Sequence, residues 1–272
     1  MLLSGAVFDS IVLRYSTEDC TPHRISVLSR MSFLVPPRQF DPDIPELMDV
    51  SGIDEDLLEE DLRNLRKLNR YFGGIAAVRK HILPMFERIQ PDREITILDL
   101  ACGSGDHPVA LVHLARSIGR RVKIRALDKN PKMIAATRRL TAGFAGIEVH
   151  QADILGLHGQ EWHSDIVLCS LALHHFSEAD AVRIIRNMKA FSRVGFIINE
   201  INRNLLAAWC AWTYTHLTTR NRITLNDTYA SFRRAFTANE LLSMAERADV
   251  ERCQVHHEPL FRILLTGYVD AR

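Results

Sequence analysis

Asp99-Leu-Ala-Cys-Gly-Ser-Gly105 constrains the fold of this chain more than any other stretch. The apolar run Ile95-Thr-Ile-Leu98 precedes it, and the helix-compatible run Pro108-Val-Ala-Leu-Val-His-Leu-Ala115 follows. Strand, glycine turn and helix in that order leave a carboxylate at the strand's end. Glycines at such a turn let the backbone approach a ligand closely, and the helix N-terminus presents free N–H groups. A dinucleotide fingerprint requires a third glycine, G-x-G-x-x-G. Here Gly103 and Gly105 are followed by Asp106, His107 and Pro108, so that glycine is missing.

The same strand-then-acid device recurs. Arg121 to Asp128 reads as a second strand closing on an acid, followed by Lys129-Asn-Pro131 and a helical stretch from Met133 to Leu140. A carboxylate there can accept both hydroxyls of a ribose through its two oxygens. Ile147 to Ile154 is a third strand, closing on Asp153. Any one of these acids can equally serve as a helix cap or turn residue. Asp165 to Ser170 and Val194 to Asn199 are the fourth and fifth strands, the latter closing on Glu200. Ser177-Glu-Ala-Asp180 and Thr237-Ala-Asn-Glu240 read as helix caps, and Val250 to His257 and Phe261 to Val269 as the last two strands. Alternation of this kind predicts a mostly parallel, doubly wound α/β sheet of seven strands, with ligands at the carboxyl ends of its strands.

Acidic-x-Ala-x-Gly-x-Gly over Asp99 to Gly105 resembles the first motif of the class I S-adenosylmethionine (SAM) methyltransferases, with Ala101 in place of the first glycine. The resemblance implies SAM as cofactor. It places Asp99, Ala101, Gly103 and Gly105 around the methionine end, Asp128 and Lys129 at the ribose, Asp153 and Ile154 at the adenine, and Ser170 on the same edge.

Charge and cysteine content narrow the class further. Lys plus Arg number 34 and Asp plus Glu 33, so no strong electrostatic case exists for nucleic acid. The five cysteines (Cys20, Cys102, Cys169, Cys210 and Cys253) lack C-x-x-C spacing, which fits a reducing compartment and supplies no metal site. No run approaches the roughly 20 apolar residues needed to span a bilayer. A cytoplasmic enzyme is expected.

Residues 1–40 show no clear periodicity and form an N-terminal arm without assigned function. In the helical region 41–90, Asp41 to Asp61 holds ten acidic residues and no basic one, whereas Arg63 to Lys80 holds six basic residues and no acidic one. Leu58, Leu62, Leu65, Leu68 and Phe72 recur at helical spacing, so acids open a helix and bases close it, complementing its dipole. Gly73-Gly74 ends that helix, and Tyr71 or Phe72 is placed to face the cofactor. The catalytic domain, 91–272, carries a long insertion at 202–236. Leu205, Trp209, Trp212 and His216 share a helical face within it, and five arginines against the lone Asp227 make it +4. Three readings stand: aromatic walls of an acceptor pocket, a plain lid, or a peripheral membrane contact, since tryptophans and basic residues suit an interface.

Taken together, Leu47-Met48, Asn69 to Gly74, Asp99 to Pro108, Leu173-His-His-Phe176 and Arg233 to Thr237 resemble one bacterial group. Its members are methyltransferases associated with type III polyketide synthases, which methylate phenolic lipids. The resemblance implies a small hydrophobic acceptor, methylated on a phenolic oxygen; carbon methylation of a quinone-like molecule and a non-catalytic SAM-binding scaffold are the alternatives. A phenol needs a base, and His174 and His175 lie just beyond the fourth strand, with basicity suited to neutral pH. His175 is preferred of the two, with Glu200 and His216 in reserve. Ser170-Leu-Ala-Leu173 lacks the Asn/Asp-Pro-Pro-aromatic turn of nucleic-acid and protein amino-methyltransferases. Pro108 together with Asp99 and Asp153 disfavours a nicotinamide dehydrogenase.

Overall fold

A computed structural model of the protein describes residues 35–50 and 52–269. Most of the 1–40 arm therefore lies outside the described residues. Five residues of it, Pro36 to Phe40, are strapped to the domain. Arg38 donates to the carbonyls of Arg234 (2.6 Å), Phe176 (2.8 Å) and His174 (3.2 Å), and its guanidinium lies 3.9 Å over the Phe236 ring.

Helix α1 (Glu55–Tyr71) begins where the Asp54 carboxylate accepts from Leu57 N–H, with Glu55 and Asp56 in its first turn and Arg70 in its last. The charge order thus follows the helix dipole as expected. Gly73, in the left-handed region at φ 77°, turns the chain into α2 (Gly74–Glu87). The sheet follows as β1 (Ile95–Leu100), β2 (Val122–Asp128), β3 (Ile147–Gln151), β4 (Ser164–Ser170), β5 (Ser192–Ile201), β6 (Cys253–Glu258) and β7 (Arg262–Tyr268). Between them run α3 (Asp106–Ser117), α4 (Pro131–Thr141), α5 (Glu178–Phe191), α6 (Leu205–Thr218), α7 (Arg222–Arg234) and α8 (Ala238–Arg247).

The strand order is β3-β2-β1-β4-β5-β7-β6. All pairs from β3 to β5 are parallel, and β7 pairs antiparallel with both β5 and β6. Side-chain alternation builds two cores. Ile95, Ile97, Ile166 and Leu168 pack with α2 and α3 on one face, and Leu98, Leu100, Val167 and Cys169 pack with α5 and α8 on the other. Strands buried on both faces need continuous apolar runs, which is why their sequences show no polar alternation. Both expected caps are present: Ser177 accepts from Asp180 N–H, and Thr237 with Glu240 forms a reciprocal capping box.

Two boundaries differ from expectation in ways that matter for the site, while the insertion at 202–236 is helical as expected. β3 ends at Gln151, so Asp153 sits in a loop beyond it rather than closing the strand. β5 extends to Ile201 and takes Glu200 into its buried interior. The 202–236 insertion is a pair of helices, α6 and α7, laid against α1.

Candidate active site

One cavity opens at the carboxyl ends of β1, β2 and β4, roofed by α1 and the α6–α7 lid. Asp99, Ala101, Gly103, Asp128, Lys129, Asp153, Ile154, Ser170, His174 and His175 all line it. Gly105 does not. It stands behind the loop as the N-cap of α3 at φ 79°, where an added Cβ would meet Thr137 Cγ2 at 2.8 Å. Thr137 in turn donates its hydroxyl to the Gly103 carbonyl (2.6 Å), so Gly105 lets α4 clamp the loop. Gly103 has φ 54° with open space where a side chain would project. Ala101 also has φ 54°, and there alanine carries the strain that a glycine would avoid.

Asp128 is tied at both oxygens, Oδ2 accepting from Gly103 N–H (3.0 Å) and Oδ1 from Asn130 N–H (2.8 Å). It therefore shapes the glycine loop, while each oxygen keeps a second lone pair for a hydroxyl. Burial raises its pKa, against the two backbone hydrogen bonds. Asp153 is exposed at the rim and also accepts from Leu155 N–H (2.9 Å), so it is a turn residue as well as a lining one. Ser170 Oγ lies 2.9 Å from His107 Nε2 and accepts from Asn199 Nδ2 (2.8 Å).

Three buried polar atoms of residues lining this cavity lack partners within the described residues: Asp99 Oδ2, Arg262 Nη1 and, on the lid, Thr228 Oγ1. Asp99 Oδ2 makes no hydrogen bond, and burial, then the nearby Asp106 and Asp128, pushes its carboxyl well above the usual range. Arg262 Nη1 is likewise unpaired, although Arg262 Nε donates to the Phe72 carbonyl (3.1 Å). A carboxylate oxygen and a guanidinium N–H left open in one cavity suit a zwitterionic ligand. The methionine end of SAM, with its ammonium and carboxylate, is such a group, so the residues present fit the cofactor. Arg262 carries no sequence signal: it opens a C-terminal strand far from the glycine loop, and only the antiparallel return of β7 brings it there.

Beyond the loop the walls become apolar, with Leu62, Leu65, Leu68 and Phe72 from α1, Phe176, and Phe232 from α7. Phe72 faces the cavity as expected, whereas Tyr71 is exposed. The lid supplies Ala211, Asp227, Thr228, Ser231 and Phe232, not tryptophans. Trp209 (62% exposed) and Trp212 (45%) point to solvent because α6 buries its small residues, Ala207, Ala211 and Thr215, instead. His216, exposed and 2.8 Å from the Trp212 carbonyl, is thereby removed as a candidate base.

A polar cluster also lines the cavity. His174 Nδ1 lies 2.8 Å from Glu200 Oε2, and Glu200 Oε1 accepts from Leu173 N–H (2.7 Å). Glu200 is fully buried beneath the cavity wall and cannot itself reach a substrate, so its reserve candidacy as base falls. It fixes the ring of His174 instead. Burial lowers the His174 pKa, but the charge and hydrogen bond of Glu200, with Glu46 behind them, outweigh burial and leave it raised. Burial and then the positive neighbours His174, Arg234 and Lys129 hold His175 well below the ordinary imidazole value. Glu46, missed in the sequence reading, accepts from Ser231 Oγ (2.9 Å), and burial raises its pKa to about 7.

Residues 97–195 match the family model described as a methyltransferase domain. The match takes in the glycine loop and the strands β2, β3 and β4 that surround the cavity. Solved structures with this fold include three methyltransferases. The plantazolicin methyltransferase BpumL, in complex with S-adenosylhomocysteine, is 12% identical with a TM-score of 0.60, the match covering 83% of this chain and 93% of that one. Magnesium protoporphyrin IX methyltransferase from Synechocystis PCC 6803, also with S-adenosylhomocysteine, is 12% identical with a TM-score of 0.51, covering 82% and 91%. The CMeT domain of the citrinin polyketide synthase is 13% identical with a TM-score of 0.55; the match takes in 73% of this chain but spans only 52% of that one. At such identities the likeness is one of fold. No curated protein matches the chain. No helix among the described residues is long and apolar enough to cross a membrane.

Proposed function

We propose that this methyltransferase methylates the phenolic oxygen of a small hydrophobic acceptor, as the resemblance to the type III polyketide synthase-associated enzymes implies. The supporting observation is the cavity's composition. One cavity brings together the glycine loop, a buried imidazole–carboxylate pair and an aliphatic and aromatic wall. SAM, when bound, supplies an electrophilic methyl group. Asp128 and Lys129 would hold its ribose and Asp153 with Ile154 its adenine, while Asp99 and Arg262 would hold its methionine end.

His174 is the better base of the histidine pair. Its Nδ1–H donates to Glu200, which leaves the Nε2 lone pair free to accept the acceptor's hydroxyl proton and stabilises the imidazolium that forms. A phenol near pKa 10 and an imidazole above 6.5 differ by up to about 3.5 units, or about 5 kcal/mol. Full proton transfer before methylation is therefore unfavourable, and the base works as the new bond forms. Low basicity makes His175 a neutral wall residue.

The lid's outer face supports a companion reading, that the enzyme rests on a bilayer surface where lipidic acceptors reside. Leu205, Leu206, Trp209, Trp212 and Leu217 are all exposed, with Arg220, Arg222 and Arg233 exposed beside them. Cosedimentation with anionic vesicles tests it; Trp209→Ala with Trp212→Ala should release the protein.

The deciding experiment incubates the protein with methyl-labelled SAM and a panel of alkylresorcinols, alkylquinols and chain-free phenols. Labelled ethers from the long-chain phenols alone are expected. Carbon-linked label would move the assignment to C-methylation, and no turnover with intact cofactor binding would favour a scaffold.

A further inference from the structure

Glu46, His174 and His175 come from a short turn ahead of α1 and from the segment after β4. They converge their ligand atoms to within 4.8 Å of one another. Glu46 Oε1 stands 3.9 Å from His174 Nε2, and Glu46 Oε2 stands 3.8 Å from His175 Nε2. In a purely hydrogen-bonded cluster these atoms would close to about 2.8 Å. They are held roughly 1 Å further apart, with the two rings side by side at 4.4 Å. We infer that these three side chains chelate a divalent first-row transition ion, with the remaining position open to the cavity.

The spacing suits such an ion. Zinc bonds nitrogen and oxygen at about 2.0–2.2 Å, so neighbouring ligands of a tetrahedral site lie about 3.4 Å apart. For the two Glu46–histidine pairs, closing from 3.8–3.9 Å needs a shift of about half an ångström, and the three ligand atoms all lie within 4.8 Å of one another. Both histidines also have a carboxylate behind the other ring nitrogen: Glu200 Oε2 at 2.8 Å from His174 Nδ1, and Asp49 Oδ2 at 3.6 Å from His175 Nδ1. Metal-binding imidazoles characteristically have such partners, which fix the tautomer and orient the ring. Two nitrogens and one oxygen favour zinc, cobalt, nickel or iron over magnesium or calcium. Glu46 and His174 are 2% exposed, so the ion would be shielded from water except on the cavity side. Arg234, whose Nη1 is 3.7 Å from Glu46 Oε1, is the counter-charge an ion would supplant.

The consequence for catalysis rests on the proposed function; the binding itself does not. A nitrogen lone pair that holds a metal cannot take a proton. An ion on His174 Nε2 therefore blocks the base, and the metal-loaded enzyme is the inhibited form.

The test uses the full chain stripped of metal by a chelator. Zinc titrated calorimetrically should bind once per chain. Cobalt should give visible d–d absorption without the near-ultraviolet thiolate band that Cys210 or Cys253 would produce. His175→Ala and Glu46→Gln should each weaken zinc by at least about tenfold, with Cys210→Ser unchanged. Absent binding, a thiolate band, or zinc affinity unaltered in both variants would overturn the site. The cobalt spectrum of the unmodified protein decides the matter even where a variant fails to fold. Zinc binding without phenol methylation would leave the site standing and defeat only the acceptor reading; methylation without zinc binding would do the reverse.

Discussion

Asp61, on the buried face of α1, should make the protein lose stability as pH rises, and Asp61→Asn should remove that loss. Its Oδ1 accepts from Thr224 Oγ1 of the lid helix α7 (2.6 Å), while its Oδ2 is buried without a partner. Burial, with Asp227 and Glu60 adding to it against the Thr224 bond, raises its pKa from 3.8 to about 7. A raised acid holds its proton longer in the folded chain than in the unfolded one. Its stabilising effect is full below the unfolded pKa and lost as pH climbs through the folded one. Between about pH 4.5 and about pH 8 the linked loss is about 3 kcal/mol, at 1.36 kcal/mol per unit. Asparagine keeps an oxygen for Thr224 but leaves a buried N–H unpaired, a pH-independent cost of about 1–3 kcal/mol. The variant should therefore be the less stable protein at the acid end and draw level or ahead at the alkaline end. Urea denaturation of both proteins at the two pH values measures this, provided each unfolds in two states. A stability difference that stays constant across the window would refute the reasoning, because no charge-independent packing defect tracks pH.

The site yields three further expectations. Asp128→Ala removes the acceptor for Gly103 and Asn130 N–H, and should weaken S-adenosylhomocysteine binding by at least about thirtyfold while unfolding stays cooperative; unchanged affinity by calorimetry would sink the ribose assignment. Gly103→Ala and Gly105→Ala should separate strain from packing. The first adds a side chain in open space and should cost about 1 kcal/mol while impairing cofactor binding, whereas the second drives Cβ onto Thr137 and should cost about 3 kcal/mol by thermal or urea unfolding. His174→Ala should lower kcat about 10²–10⁴-fold with cofactor affinity intact, and His175→Ala less than about tenfold; the reverse order would return the base to His175.

Most of the sheet was legible because β1, β4 and β5 are largely apolar runs with a polar residue near the end, and β2, though broken by Lys123 and Arg125, closes on Asp128. Asp99, Asp128 and Ser170 close their strands or lie one residue inside, and all reach the cavity. The pattern weakens at β3, whose residues are only partly buried at the sheet edge, and there the boundary was misplaced. The lid failed for a different reason. α6 is apolar on every side, so periodicity could not say which face turns inward. Its small residues pack closely and leave the tryptophans outside, the opposite of a rule that sends the largest apolar groups to the pocket.

What the sequence hid is the source of the site's polarity. His174 and His175 form a visible pair, yet nothing in a neighbouring pair of histidines says which one is tuned. That is decided by Glu200, a helix and a strand further along the chain on β5, and by Glu46, which reads as one more acid in an acidic stretch. Glu46 is distinguished only by burial, and its burial depends on the lid: Ser231 and Arg234 hold its carboxylate, while the Asp227 carboxylate accepts from Leu47 and Met48 N–H (2.8 and 2.9 Å). The lone acid of a basic insertion is thus the anchor that carries a second acid onto the histidines. Because α7 provides both that anchor and Phe232 of the apolar wall, the surface that fits the acceptor and the groups that set the basicity of the pair move as one. A change in acceptor preference through α7 should therefore also shift the pH dependence of turnover.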